Sequence, residues 1–358
     1  MMTIIGIAVV LGGVIFFHEL GHFIFAKLTG MRVETFSIGF PPKLLKKQIG
    51  ETEYCLSAIP LGGYVKVTGV IDESMDTEGA QNTKEDPKSF SSKKTWQKAL
   101  FITGGVIFNI VLAILVFTIL TFARGISEVD EGTVLGEVVA EYPAAQAGIE
   151  KGDKILAINS ENVSSWEEMT RIIHRYPADT VLVKWQHNEE IIEKKVPTVA
   201  NKILKDGEFQ EVGMIGISPE YSTRAAGFFE GIGAGVSQTF YWLKITFVSL
   251  KSVITGAESV KNLGGPIMIA QLAGESARSG LAALFGFMAI ISVNLGFVNI
   301  LPIPALDGGH LIVILIEGVL GRELSDTTKI RIQQVGLALI LMLTVLVLFN
   351  DISRWFTG

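Results

Sequence analysis

Long apolar stretches separated by polar segments dominate the sequence. The four longest cover residues 4–26, 99–123, 281–306 and 332–349. A helix of about 20 apolar residues is long enough to span the hydrocarbon core of a bilayer. The pattern therefore predicts a polytopic α-helical membrane protein with four transmembrane helices.

A fifth stretch, residues 232–255, is less apolar and has a different pattern. Lys244 and Lys251 lie seven residues apart, which places them on one face of a helix. Apolar side chains recur at helical spacing beside them, at Leu243, Phe247, Leu250 and Ile254. The pattern favours an amphipathic helix that lies at the membrane interface or packs on the helix bundle.

Residues 125–222 separate the second and third apolar stretches and have the pattern of a soluble α+β domain. Residues 166–176 predict a helix, because Ser165 is a suitable N-cap and two glutamates follow in the first turn. Alternating apolar residues predict β-strands at 134–140, 154–159, 181–186 and 191–196. We expect this region to form a domain of its own.

A smaller β region is expected between the first two membrane helices. Residues 53–67 predict two short strands around a bend at Pro60, Gly62 and Gly63. Residues 72–88 are polar and predict a mobile loop.

The distribution of lysine and arginine predicts the orientation in the membrane. Basic residues precede the second and the fourth predicted helices, at Lys43, Lys46, Lys47, Lys93, Lys94, Arg322, Lys329 and Arg331. Cytoplasmic loops carry such an excess, so the first helix is expected to run from outside to inside. The β region is then cytoplasmic and membrane-associated, and the soluble domain is extracytoplasmic.

Composition agrees with this organisation. The chain has 358 residues, of which 49% are hydrophobic, and its mean hydropathy of +0.44 is too high for an ordinary soluble protein. The net charge of −6 gives no indication of nucleic-acid binding. We expect two membrane halves that flank a soluble domain and an amphipathic segment, in the order 1–124, 125–222, 223–280 and 281–358.

His18, Glu19 and His22 are ionisable residues inside the first apolar run. Ionisable groups at membrane depth are costly and are retained where they pair or carry out a function. Two histidines four residues apart lie on one helical face, where both imidazoles can bind one metal ion. Glu19 would then act as general base on the attacking water, as in metalloproteases.

Two histidines leave such a site one ligand short, because catalytic zinc usually has three protein ligands. The remaining candidates are His174, His187, His310 and the carboxylate of Asp307. Asp307 lies at the end of the third apolar stretch, beside prolines that interrupt a helix. Taken alone, it would be interpreted as a turn or capping residue.

The motifs taken together resemble the site-2 protease family of intramembrane zinc metalloproteases. The similarity is strongest to the bacterial members that cleave membrane-bound anti-sigma factors. The matching segments occur in the family's order, at residues 18–22, 59–66, 86–90, 142–159, 264–266 and 299–310. The resemblance implies a bacterial inner-membrane protein with a single extracytoplasmic PDZ domain.

This resemblance also implies roles for individual residues. His18, His22 and Asp307 are expected to bind one Zn²⁺ ion, and Glu19 is expected to be the catalytic acid–base. The residues expected to hold the substrate backbone are Asn109, Asn299, Gly62, Gly63 and Tyr64. The peptide groove of the PDZ domain is expected at Val134, Leu135, Gly136, Ile215, Gly216 and Ile217.

Implied partners are the lipid bilayer and single-span membrane proteins that serve as substrates. These would be anti-sigma factors already cut by an upstream site-1 protease, or remnant signal peptides.

The sequence leaves alternatives open. A membrane-anchored PDZ adaptor with an inactive protease body would show damage to the catalytic motif, which is intact here. A different membrane zinc protease could use Glu317 as its third ligand and cut soluble loops. Asn109 could make only a hydrogen bond between helices, and the soluble domain could be only a spacer.

Overall fold

The computed structural model describes residues 2–70, 86–205, 208–259 and 264–357. The chain divides into two compact units. The first consists of Met1–Leu120 and Ile232–Gly358, and the second is Thr121–Gly231. The polar loop predicted at 72–88 lies mostly outside the described residues.

The first unit begins with two long helices separated by a β-hairpin. Its elements are α1 (Met2–Leu28), β1 (Val33–Ile49), β2 (Thr52–Val67) and α2 (Thr95–Arg124). The two helices meet at glycines, where a Cβ on Gly21 would stand 2.1 Å from the carbonyl oxygen of Gly104. Small residues allow such close approach of helix backbones, so this crossing holds α1 and α2 together beside His22.

Within the hairpin, β1 is opposite two different parts of β2. Thr35 lies opposite both Lys66 and Glu53, and the same double pairing continues at Ser37 with Tyr64 and Cys55. The N-terminal half of β1 therefore lies between the two halves of β2. The sequence predicts two short strands at 53–67, whereas the structure has one strand whose partner residues change along its length.

The second unit is built from short strands and two short helices. Its elements in chain order are β3 (Ile126–Val129), β4 (Leu135–Val138), α3 (Pro143–Ala147), β5 (Lys154–Ile158), β6 (Glu161–Asn162), α4 (Trp166–Ile173), β7 (Thr180–His187), β8 (Glu190–Pro197), β9 (Val199–Lys205), β10 (Glu208–Met214), β11 (Ile217–Pro219) and β12 (Tyr221–Arg224). One sheet has the order β6-β5-β7-β8, and the other strands pair as β9 with β10, β4 with β11, and β3 with β12.

The core of the second unit lies between this sheet and α4. Trp185, Ile155 and Met169 are fully buried in it, and burial of such side chains stabilises the fold by roughly 1.5–3 kcal/mol each. The backbone N–H of Glu168 donates to the hydroxyl of Ser165, which confirms the predicted N-cap. The helix ends at Ile173, earlier than predicted.

The C-terminal part of the chain completes the first unit. Its helices are α5 (Phe228–Ile254), α6 (Pro266–Arg278), α7 (Leu281–Asn299), α8 (Asp307–Leu320) and α9 (Asp326–Thr357). The third apolar stretch predicts a helix to residue 306, but the helix in the structure ends at Asn299. Pro302 and Pro304 follow directly, and proline lacks the N–H that would continue the helix.

Four of the described helices are long and apolar enough to cross a membrane, namely α1, α2, α7 and α9. Among the described residues α5 is not one of them, although it is 27 residues long. It packs on α7, where the hydroxyl of Thr246 donates to the Asn294 side-chain oxygen over 2.6 Å. Nearer its N-terminus, a Cβ on Gly235 would stand 2.1 Å from the hydroxyl oxygen of Thr118.

Candidate metal and active site

Three potential metal ligands converge in the first unit. The Nε2 atoms of His18 and His22 are 3.2 Å apart. The Asp307 Oδ2 atom lies 3.4 Å from the first of these and 3.5 Å from the second. Among the described residues this is the one group of three such side chains close enough to hold a metal ion.

The spacing of these atoms fits zinc. Ligand atoms about 2.0–2.2 Å from a tetrahedral zinc lie roughly 3.3–3.6 Å from one another, close to the three distances observed. The Asp307 Oδ2 atom is also buried and has no hydrogen-bond partner in the described part of the chain. A buried carboxylate oxygen without a partner is costly, and a bound cation would remove that cost.

The backbone of α2 shapes the space behind the two imidazoles. A Cβ on Gly105 would stand 2.5 Å from Nε2 of His22 and from Cε1 of His18, so a side chain at this position would displace both rings. Nδ1 of His22 is 3.0 Å from the carbonyl oxygen of Phe101. Donation to this carbonyl keeps the proton on Nδ1 and leaves Nε2 free to bind metal.

A constrained loop between α7 and α8 positions Asp307 in the site. Gly308 and Gly309 lie directly against loop carbonyls, where a Cβ would stand 2.2 Å from the Ile300 oxygen and 2.3 Å from the Ile303 oxygen, respectively. Ala305 has a φ of 71°, which is unfavourable for a residue with a side chain and is tolerated where surrounding contacts enforce it.

An open cleft of about 560 Å³ lies over the three ligand atoms. Five of the residues predicted to act on the substrate line it: Glu19, Gly62, Gly63, Tyr64 and Asn299. Glu19 is the carboxylate beside the first metal-binding histidine, and a Cβ on Gly63 would stand 3.1 Å from its Cγ. The strand segment that contains Gly63 therefore passes directly over the predicted catalytic residue.

The two asparagines occupy different positions. The Asn299 side-chain nitrogen is 3.3 Å from Nε2 of His18, on the cleft side. Asn109 is completely buried, its side-chain nitrogen is 3.2 Å from Nδ1 of His18, and it is not among the residues that line the cleft.

The other candidate ligands do not belong to this group of three: they lie elsewhere or pair with other residues. Glu317 accepts a hydrogen bond from the backbone of Leu324 over 2.8 Å and pairs with Lys329 at 2.8 Å. His310 lines the edge of the cleft without joining the group of three. His174 and His187 belong to the second unit.

A separate cleft of about 320 Å³ lies in the second unit, beside α4 and the segment that leads into β11. Three predicted groove residues line it: Ile215, Gly216 and Ile217. The other three, Val134, Leu135 and Gly136, are not among its lining residues, and Leu135 is buried in the core. Glu137 and Val139 line this side of the cleft instead.

Sequence reasoning alone missed Gly105 and Ala305. A glycine pair in an apolar helix is a signal of close helix packing, and Gly104-Gly105 provides that signal here. No comparable signal identifies the strained backbone at Ala305.

The profile of peptidase family M50 matches residues 6–343. The chain belongs to this family. A protein of Clostridium acetobutylicum named as a candidate zinc metalloprotease is 35% identical over 341 residues, covering 95% of this chain and 94% of its own. The zinc metalloprotease RasP of Geobacillus kaustophilus is 29% identical over 423 residues, covering 99% of this chain and 98% of its own.

The protein is thus a metalloprotease of family M50, with zinc as its cofactor and several membrane-spanning helices. Among solved structures, the PDZ domain of an SdrC-like protein from Listeria monocytogenes is 22% identical and matches 26% of this chain and 90% of its own, with a TM-score of 0.21. The roles of individual residues and the PDZ identity of the second unit stay predictions.

Proposed function

We propose that this protein is an intramembrane zinc endopeptidase that cleaves the transmembrane segments of single-span membrane proteins. The observation that carries the proposal is the position of the ligand group. His18, Glu19 and His22 all lie on α1, a helix long and apolar enough to span a bilayer, and α2 and α7 pack around them. A peptide bond would be cut at this depth.

His18, His22 and Asp307 would hold one zinc ion per chain. When bound, zinc supplies a Lewis acid that acidifies water and polarises a carbonyl oxygen. Glu19 takes a proton from the attacking water as the new carbon–oxygen bond forms at the scissile carbonyl. Glu19 then passes this proton to the nitrogen as the carbon–nitrogen bond breaks.

A helical substrate must unwind before this reaction, because its peptide bonds are hidden within internal hydrogen bonds. The segment 63–67 supports a mechanism for holding the unwound chain. Within the described residues it pairs only with β1, so its other edge can accept an additional strand. Gly63 and Tyr64 line the cleft, and such pairing would bring the substrate backbone to Glu19 and Asn299.

Orientation, partners and regulation form the finer part of the proposal. The protein would lie in a bacterial inner membrane, with the metal site towards the cytoplasm and the second unit outside as a PDZ domain. Substrates would be anti-sigma-like proteins shortened by an upstream site-1 protease, or remnant signal peptides. The second unit is joined at both ends to helices of the first unit, α2 and α5, which supports a role in excluding bulky substrates.

Purified protein and a single-span substrate with a short external tail test this function. We expect cleavage within the transmembrane segment, loss of cleavage with a zinc chelator, and recovery on addition of zinc. Mass spectrometry of the fragments identifies the cut bond. Cleavage that resists the chelator, or that falls only in soluble loops, would contradict the proposal.

A further inference from the structure

Asn109 lies at the back of the metal site. It is completely buried on α2, and the hydroxyl of Ser292 on α7 donates to its backbone oxygen over 2.9 Å. Its side chain is 3.2 Å from Nδ1 of His18 and does not line the cleft. A substrate in the cleft would therefore meet His18 before it met Asn109.

The two nitrogens of the His18 ring face different groups. Nε2 points to the other ligand atoms, 3.2 Å from Nε2 of His22 and 3.4 Å from Oδ2 of Asp307. A neutral imidazole that binds metal through Nε2 carries its proton on Nδ1, so Nδ1 must donate a hydrogen bond. The group facing this donor is the Asn109 amide.

The orientation of that amide decides whether the hydrogen bond can form. An NH₂ group cannot accept a proton from Nδ1–H, whereas the amide oxygen can. The Asn109 Oδ1 atom is buried and has no partner among the described residues. A rotation of 180° about the Cβ–Cγ bond would turn this oxygen towards Nδ1, with little change in the volume that the side chain occupies.

We propose that Asn109 is a positioning residue for zinc: its side-chain oxygen accepts the Nδ1 proton of His18 and holds the ring with Nε2 towards the metal. The inference rests on the proposed metal site. His22 has a backbone acceptor at Phe101 for the same purpose. For His18 the proposed acceptor is a side chain, beside a backbone contact from Gly105, and partners of this kind typically change metal affinity roughly 10- to 100-fold.

The test compares Asn109→Leu, which removes the acceptor, with Asn109→Asp, which keeps an oxygen in a side chain of nearly the same shape. Ser292→Ala is the matched control, because it removes a buried hydrogen bond to the backbone oxygen of the same residue without touching the side-chain amide. Zinc affinity is measured by competition with a chelator on the purified full-length protein. Binding by the unmodified protein tests the metal site itself, and the variants test Asn109.

We expect Asn109→Leu to lower zinc affinity roughly 10- to 100-fold, with Asn109→Asp and Ser292→Ala within a fewfold of the unmodified protein. Equal affinity in all four proteins would overturn the proposal and assign the Nδ1 proton to the backbone of Gly105, which also contacts the His18 ring. Equal losses in both Asn109 variants would overturn it as well, because they would mean that the NH₂ group is required.

A second measurement covers the case in which Asn109→Leu does not fold. The absorption spectrum of Co²⁺ bound in place of zinc reports the orientation of the ligands. Asn109→Asp should retain the spectrum and the 1:1 stoichiometry of the unmodified protein. A changed spectrum in Asn109→Asp, with an unchanged one in Ser292→Ala, would contradict a role as oxygen acceptor.

Discussion

Gly336 of α9 lies against Pro304, and a Cβ on Gly336 would stand 2.0 Å from the Pro304 carbonyl oxygen. Gly336 is buried, whereas its neighbours Val335 and Leu337 are 67% and 43% exposed. Pro304 belongs to the loop that ends at Asp307. At this point, α9 therefore contacts the segment that delivers the third metal ligand.

We expect Gly336→Ala to weaken zinc binding, although the residue is not close enough to be a ligand. The added methyl group must push α9 away from the loop or move Asp307. Overpacking of this kind costs roughly 1–3 kcal/mol, which corresponds to roughly a 5- to 150-fold loss of affinity if it falls on the metal-binding geometry. Gly12→Ala in α1 is the control, since nothing lies within 4 Å of its Cβ position. Unchanged zinc affinity in Gly336→Ala would show that the loop does not depend on this contact.

Glu19 and Asp307 should be separable by experiment. Glu19→Gln is expected to bind zinc normally and to lose hydrolysis, because an amide cannot carry the proton from water to the leaving nitrogen. Asp307→Ala is expected to lose zinc as well, since it removes one of three ligands. Metal analysis and turnover of the same preparations decide this. Full zinc occupancy with normal turnover in Asp307→Ala would exclude this residue from the site.

The sequence predicts those parts of the site that depend on local spacing. His18 and His22 are one helical turn apart, so their convergence follows from the geometry of α1. Asp307 could be assigned only through the family resemblance, because it is 285 residues beyond His22. The contact of Gly336 with Pro304 depends on how α9 packs against a loop, which no local pattern specifies.

The position of Asn109 behind His18 could not be predicted from the sequence either. The resemblance places it on the substrate, and only the packing of α2 against α1 shows that it faces the far side of His18. The helix formed by residues 228–254 differs from the four membrane-spanning candidates in its charge pattern, and it is not among the described helices that are long and apolar enough to cross a membrane.

The orientation in the membrane can be tested with single cysteines in a Cys55→Ser background. Asp307 can meet His22 only if α7 runs in the same direction as α1, which requires that α5 does not cross the membrane. Thr223→Cys and Ser279→Cys, both at exposed positions, should react with an impermeant reagent added outside. Gln48→Cys in the hairpin should react only after the membrane is opened. Labelling of Thr223→Cys and Ser279→Cys from opposite sides would rule out four spans.

A buried carboxylate should make the stability of the second unit depend on pH. Asp153 is 3% exposed and lies 2.7 Å from Nδ1 of His187, and this contact raises the pKa of His187 above its ordinary value of 6.5. The folded state thus holds the proton more tightly than the unfolded state. The stabilisation is complete below pH 6.5 and is lost as the pH rises through the folded pKa.

Hydrogen exchange of β7 and β8 in the full-length protein measures this effect. Protection should fall as the pH rises above 6.5, after correction for the intrinsic exchange rate. In His187→Asn that fall should be absent. Identical pH profiles for the two proteins would mean that the ion pair adds nothing to stability.

The second unit is expected to exclude bulky substrates from the active site by size. Replacing residues 125–224 with a short flexible linker should allow cleavage of a substrate that retains a folded external domain.

The alternative is that the second unit captures the end of the trimmed substrate in its cleft. Thr170→Arg distinguishes the two, because Thr170 lines this cleft on α4 and is only partly buried. Ile215 is unsuitable for the purpose, since it is 1% exposed and belongs to the core. If the second unit acts by size exclusion, the Thr170→Arg variant still does not cleave the untrimmed substrate and cleaves the trimmed one at the normal rate. If the second unit captures the substrate end, this variant cleaves the trimmed substrate more slowly. If the linker variant cuts trimmed substrate but still refuses the untrimmed one, the second unit is not the barrier.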